Sequence, residues 1–337
     1  MIILRYLFFP FSILYGIVTS IRNFFFDIGF LKSYSFDIPI IAVGNLSVGG
    51  TGKTPQIEYL IRLLSPNYNV ATLSRGYKRK SDGFLLADVT SNAEILGDEP
   101  FQMHQKFPNI KVAVDANRKN GIEQLLSLSE KPNVILLDDA FQHRKVKAGF
   151  YILLTAFDDL FFDDFILPTG NLRESRSGAK RADAIIITKC SKDLSEIAQR
   201  NIEKKIALNV PIFFSFIDYD DKIYNETDSK SVNEIKNSDK VLLAGIAKPQ
   251  SFFAYLDKNN DTKLEFPDHH HFTQNDIITI KSKANNKLIV TTEKDYVRLK
   301  NKDLKSLFYL PIKSSFITEQ KKFDETILNF INLSSNK

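Results

Sequence analysis

The 337-residue sequence has a single cysteine, Cys190, and no tryptophan. One cysteine excludes an internal disulfide and any Cys-x-x-Cys metal or redox pair, and it fits a reducing compartment. Long Lys/Arg blocks are also missing. The net charge of +5 is spread along the chain and gives nucleic-acid binding little support. Internal repeats and low-complexity tracts are absent. With 43% hydrophobic and 25% charged residues, the composition argues for a globular protein and against bulk disorder, collagen-like repeats or coiled coil. The missing tryptophan goes with 28 phenylalanines and many Asn, Ile and Lys, a bias of AT-rich codons rather than of chemistry. At roughly 150 residues per domain the length predicts about two domains.

Residues 1–30 are far more apolar than the rest of the chain, and three readings compete. A spanning helix needs about 20 apolar residues, but Arg5 and Arg22 leave only 6–21 uncharged between them, broken by Pro10 and Gly16. A secretory signal suits the length, with Val18 and Ser20 as a passable cleavage site. The third reading is an amphipathic helix. Leu14, Ile17, Val18, Ile21, Phe24, Phe25 and Ile28 recur at helical spacing, with Ser20, Arg22, Asn23 and Asp27 largely between them. Such a helix lies in a membrane interface or packs on the core.

From residue 38 short apolar runs recur at 38–43, 69–73, 110–114, 133–137, 150–154 and 182–187, most of them separated by helix-length gaps. Runs with few interior polar residues read as strands buried on both faces. Alternation with helices predicts an α/β fold with a doubly wound parallel sheet. A second, smaller α/β set occupies 241–246, 262–266 and 287–292. The expected organisation is residues 1–209 as one domain, completed by a C-terminal helix within 316–337, and 210–315 as the smaller domain with its connecting strands.

The strongest chemical signal comes directly after the first strand. Gly52-Lys53-Thr54 matches the end of the Walker A pattern, although Ser47 stands where its first glycine belongs. Ser47, Val48, Gly49, Gly50, Thr51 and Gly52 would curl their backbone around a phosphate at a helix N-terminus. Lys53 would reach the outer phosphates and the Thr54 hydroxyl would bind Mg²⁺. The run NVILLDDAFQH supplies a Walker B strand ending in Asp138 and Asp139, at the edge where parallel sheets place ligands. Together the two motifs predict nucleoside triphosphate hydrolysis or transfer.

Four polar clusters read less clearly. Gly97-Asp98-Glu99-Pro100 suits a helix start. Asn117-Arg118 and Leu172-Arg173-Glu174 offer phosphate-gripping arginines or surface ion pairs. The Pro267-Asp268-His269-His270-His271 run points to an Asp/His base or a solvated loop, because side chains of adjacent histidines diverge along an extended chain.

The ordered set VGNLSVGGTGKTP, LSRGYKRK, GDEP, DDAFQHRK, LPTGNLRE, AGIAKPQSFF, FPDHHHF and TTEKDYVRL resembles the tetraacyldisaccharide 4'-kinases of the lipid A pathway over nearly the whole chain. Departures from the family pattern are small: Ala140 for Gly, and Thr169 and Asn171 for Ala and Pro. The resemblance implies a P-loop kinase that moves the γ-phosphate of ATP, with Mg²⁺, onto the 4' hydroxyl of a tetraacyl glucosamine disaccharide 1-phosphate. By it, Asp98 is the catalytic base supported by His269, and Lys53 contacts phosphate. Thr54, Asp138, Asp139 and Glu174 share the metal. Asn45, Arg75, Arg118, Gln142 and Arg173 line the phosphate and lipid-headgroup side. It also implies interface binding through residues 1–30 at the cytoplasmic face of the bacterial inner membrane, peripheral or monotopic, with no nucleic-acid or protein partner. The alternative is a membrane-associated regulatory ATPase of the MinD/ParA type. Those proteins resemble the GGxGKT core, but they carry a signature lysine where this chain has Val48, and they lack the PDHH cluster.

Overall fold

The computed structural model describes residue 5 and residues 7–258, 260–268 and 270–335. The chain starts with α1 (Phe9–Asp27), β1 (Ile40–Asn45), α2 (Lys53–Leu64), β2 (Val70–Ser74) and β3 (Leu85–Leu86). Next come α3 (Ala93–Leu96), α4 (Asp98–Lys106), β4 (Lys111–Val114), α5 (Arg118–Leu126), β5 (Val134–Asp138) and β6 (Phe150–Ala156). A 3₁₀ turn at Arg176–Arg181 leads into β7 (Ala184–Thr188), α6 (Glu196–Ile206), β8 (Ile212–Tyr219), β9 (Lys222–Tyr224) and β10 (Ser229–Ser231). The second half continues with α7 (Val232–Ile235), β11 (Lys240–Ala244), α8 (Gln250–Leu256), β12 (Thr262–Glu265) and α9 (Gln274–Ala284). It closes with β13 (Leu288–Thr292), α10 (Glu293–Leu299), β14 (Leu307–Leu310), β15 (Ile312–Phe316) and α11 (Gln320–Ser335).

Among the described residues a nine-stranded sheet has the order β15-β8-β7-β6-β1-β5-β2-β4-β3. It is parallel except at its edges, where β15 and β3 run antiparallel. Alternate residues of β1 face opposite ways. Ile41 and Val43 pack with Ile57, Leu60 and Ile61 of α2 and with Phe323 and Ile327 of α11. Ile40 and Ala42 pack with Ile122 and Leu125 of α5. Helices therefore cover both faces, the doubly wound arrangement expected of uniformly apolar strands.

A six-stranded sheet of order β10-β9-β14-β13-β11-β12 forms the second lobe, parallel through β14, β13, β11 and β12. It too is covered on both faces, by α8 on one side and by α9 and α10 on the other. Two strands inside or bordering the 210–315 stretch join the first sheet instead. β8 pairs parallel with β7, and β15 pairs antiparallel with β8. The chain thus crosses between lobes just after Tyr219 and again before Ile312.

α1 docks by an unusual face. Its buried residues are Ser12, Gly16 and Phe26. Ser12 Oγ donates to Thr169 Oγ1 at 2.7 Å and accepts from the Thr169 backbone N–H at 2.9 Å. Asn23 donates to Glu174 Oε2 at 2.7 Å, and Asp27 pairs with Arg144 at 2.7 Å. The apolar residues Ile13, Leu14, Ile17, Val18, Ile21 and Phe24 are exposed. α1 does not bury its apolar stripe, so the core-packing alternative is set aside. By length and composition α1 is sufficient to cross a membrane.

Candidate active site

The phosphate loop links the buried strand β1 to α2. Gly49 and Gly52 have φ of +112° and +83°, left-handed values that a side chain would strain. The loop is tied down on both sides. Asn45 Nδ2 donates to Thr51 Oγ1 at 2.8 Å, Thr188 Oγ1 to the Thr51 carbonyl at 2.8 Å, and Lys189 Nζ to the Gly50 carbonyl at 2.6 Å. Opposite, the Val48 N–H donates to the Asn171 carbonyl at 2.8 Å and the Arg173 N–H to the Leu46 carbonyl at 2.7 Å. Ser47 and Thr51 are buried, whereas Val48, Gly49 and Gly50 are exposed at the loop's crest. Lys53 and Thr54 sit partly buried in the first turn of α2.

Beside the loop lies the end of β5. Asp139 has φ of +47°, and its carboxylate is gripped by Arg173 Nη1 at 3.0 and 3.1 Å and faces Lys53 Nζ at 3.6 Å. Burial alone would raise its pKa, but Lys53 and Arg173 outweigh it and hold the carboxyl below the usual range. Asp138 behaves oppositely. Burial, then the charges of Glu99 and Asp139, push its pKa well above the usual carboxylate range against Lys53 and Arg118. Its buried Oδ1 has no hydrogen-bond partner. An orphaned hard oxygen next to a hydroxyl-bearing phosphate loop suits a Mg²⁺ ion. Mg²⁺ is commonly held by one or two carboxylates plus substrate phosphates rather than by an all-protein cage. Among the described residues no group of three or more His, Cys, Asp or Glu forms such a cage.

Other expected site residues lie behind this front. Glu174 is engaged by donors of the protein itself. Its oxygens are taken by Arg181 at 2.7 Å, Gln142 at 3.0 Å and Asn23 at 2.7 Å, which makes it a buried brace. Asn45 is fully buried beneath the loop. Gln142 donates to the Asn45 carbonyl at 2.8 Å. Arg118 is buried and donates to the carbonyls of Asp115 at 2.6 Å and Asp138 at 3.1 Å, with its pKa brought down to about 10 chiefly by burial. Arg75 is exposed past β2, near enough to Arg118 to contribute to that lowering.

Asp98 opens α4, in keeping with a helix-start motif, and its Oδ2 accepts from Arg298 Nε at 3.1 Å. Its neighbour Glu99 is the group whose charge reaches Asp138, so the start of α4 faces the end of β5. His269 lies outside the described residues. His270 is a loop anchor, stacked on Phe266 at 4.9 Å and 3.0 Å from Asp276 in the capping box of α9. Sequence reasoning missed the loop braces Thr188 and Lys189. Their signal was a polar pair at the carboxyl end of a buried strand.

Residues 4–332 match the family described as Tetraacyldisaccharide-1-P 4'-kinase. The Tetraacyldisaccharide 4'-kinase of Flavobacterium psychrophilum is 67% identical over 337 residues, with 98% of each chain covered. That of Bacteroides thetaiotaomicron is 47% identical, covering 96% of this chain and 92% of its own. A crystal structure of LpxK from Aquifex aeolicus in complex with ATP superposes with a TM-score of 0.81 at 30% identity, covering 97% of this chain and 99% of that one. The family match and these relatives cover nearly the whole chain, and the chain belongs to the tetraacyldisaccharide-1-P 4'-kinase family.

Proposed function

We propose that this chain is an ATP-dependent kinase that phosphorylates the 4' hydroxyl of a tetraacyl glucosamine disaccharide 1-phosphate. The product is the bisphosphorylated lipid A precursor, lipid IVA. The observation that carries the reading is the cluster of Lys53, Asp139 and Arg173 at the mouth of the phosphate loop, faced by the acidic start of α4. Phosphoryl transfer depends mainly on positioning and charge neutralisation. Residues 47–52 bind the ATP phosphates through backbone N–H groups. Lys53 and Arg173 neutralise charge on the transferred group, and both leave Asp139 to do so once phosphate arrives. Thr54, Asp138 and Asp139 would hold Mg²⁺, which would supply positive charge against the phosphate oxygens. Asp98, assisted by His269, accepts the proton of the 4' hydroxyl as its oxygen bonds to the γ-phosphorus and ADP leaves.

A lipid with four acyl chains stays in the bilayer, so the enzyme works at the membrane surface. The exposed stripe of α1 supplies the contact, at the cytoplasmic face where ATP is available. Radiolabelled ATP with the monophosphorylated tetraacyl disaccharide should give a labelled bisphosphorylated lipid. Lys53→Ala should cut turnover by about 10²–10³ while the fold persists. Release of ADP with no labelled lipid would instead favour a regulatory ATPase.

A further inference from the structure

We infer that Arg298, carried by Asp295, is the positioning residue that fixes the Asp98 carboxylate, so that the second lobe completes the base. The inference rests on the reading of Asp98 as the base. Arg298 stands on α10, 200 positions along the chain from Asp98, and directs both Nε and Nη2 at the same oxygen, Oδ2. Both side chains are largely shielded from solvent.

Asp295 stands behind Arg298 as an ion-pair partner and is itself held on two sides. The fully buried Asp295 lies 3.6 Å from Arg298 Nη1. Its Oδ2 accepts from the Gly245 N–H at 2.8 Å and from Thr292 Oγ1 at 2.7 Å. Those two donors sit just past β11 and at the end of β13, so Asp295 is pinned to two central strands of the second sheet. A Cβ on Gly245 would stand 3.0 Å from Asp295 Oδ1, so a side chain there would crowd the carboxylate. The orientation of the sheet is thereby transmitted through Asp295 and Arg298 to one carboxylate of the other lobe.

An ion pair across two lobes could serve as a tether alone. Tethering is already provided nearby, by Lys106 between Glu58 at 2.7 Å and Glu293 at 2.6 Å. Arg298 differs in its target and in its chemistry. A guanidinium stays protonated, so it orients a carboxylate without competing for the substrate proton. Misplacing a reacting group by about 1 Å costs on the order of 10² in rate.

The test uses the full-length enzyme with ATP and the monophosphorylated tetraacyl disaccharide in detergent, reading kcat, KM for ATP and melting temperature. Arg298→Gln should lower kcat roughly 10- to 100-fold with KM for ATP nearly unchanged. Arg298→Lys, which keeps a cation, should recover part of the loss. Asp295→Asn should lower kcat in the same direction, and Arg298→Gln placed on Asp98→Asn should add little further loss. A normal kcat in Arg298→Gln, or a loss fully additive with Asp98→Asn, overturns the inference. So does a raised KM for ATP at constant kcat, and so does a kcat loss in Arg298→Lys equal to that in Arg298→Gln. If Asp98→Asn alone keeps full turnover, it is the assignment of the base that fails.

Discussion

Helices α1 and α11 carry apolar stripes of similar period and treat them in opposite ways. In α11 Phe323, Ile327 and Ile331 are all at 0% exposure, packed with α2 and β1. In α1 Ile17, Val18 and Phe24 are 51%, 57% and 56% exposed. Its protein-facing side is instead the run of small and polar residues Ser12, Gly16, Thr19 and Asn23, closed by Phe26. An apolar period establishes that a helix has a face, but not what covers it. α11 gains about 1.5–3 kcal/mol for each large side chain that it hides. α1 buries only Phe26 among its large apolar side chains, and its docking draws on polar contacts with Thr169, Glu174 and Arg144. Its outward stripe is what a hydrocarbon boundary would cover, in keeping with the proposed attachment to the lipid surface.

The contrast can be broken at each helix. The largest expected effect is in α11, where Phe323→Ala empties a fully buried site and should cost about 3–5 kcal/mol, read as a lower urea midpoint at constant slope. Asn23→Ala should cost less, about 1–3 kcal/mol, because it leaves an oxygen of the buried Glu174 without its donor. The smallest effect belongs to Gly16→Ala. Its Cβ would lie 3.1 Å from the Ile166 Cδ1 methyl, which can yield, so a change within about 1 kcal/mol is expected, with faster proteolysis of the α1 segment as the readout. A cost above that of Phe323→Ala would mean that α1 is part of the core.

Local features were legible in the sequence. The phosphate loop could be read from Gly49 to Thr54 because its geometry depends on contiguous residues, and the central strands could be read because both their faces are buried. What escaped depended on partners distant in sequence. β8 looks like part of the second set by position, yet it pairs with β7. Asn45 and Glu174 are polar residues inside motifs, and nothing in a motif distinguishes a brace from a ligand. The approach of Arg298 to Asp98 spans 200 positions and leaves no periodic trace. The direction in which α1 faces was hidden for a related reason. A stripe of serine, glycine, threonine and asparagine carries no apolar signal, so the docking side of α1 looked like its solvent side.

The most direct measurement compares the native chain with the triple variant Ile17→Ser, Val18→Ser, Ile21→Ser, in urea unfolding and in co-sedimentation with phosphatidylglycerol–phosphatidylcholine vesicles. If the α1 stripe is a lipid contact, the vesicle-bound fraction should fall sharply while unfolding stability stays within about 0.5 kcal/mol of native, as for exposed positions. A large loss of stability with vesicle binding unchanged would contradict the account.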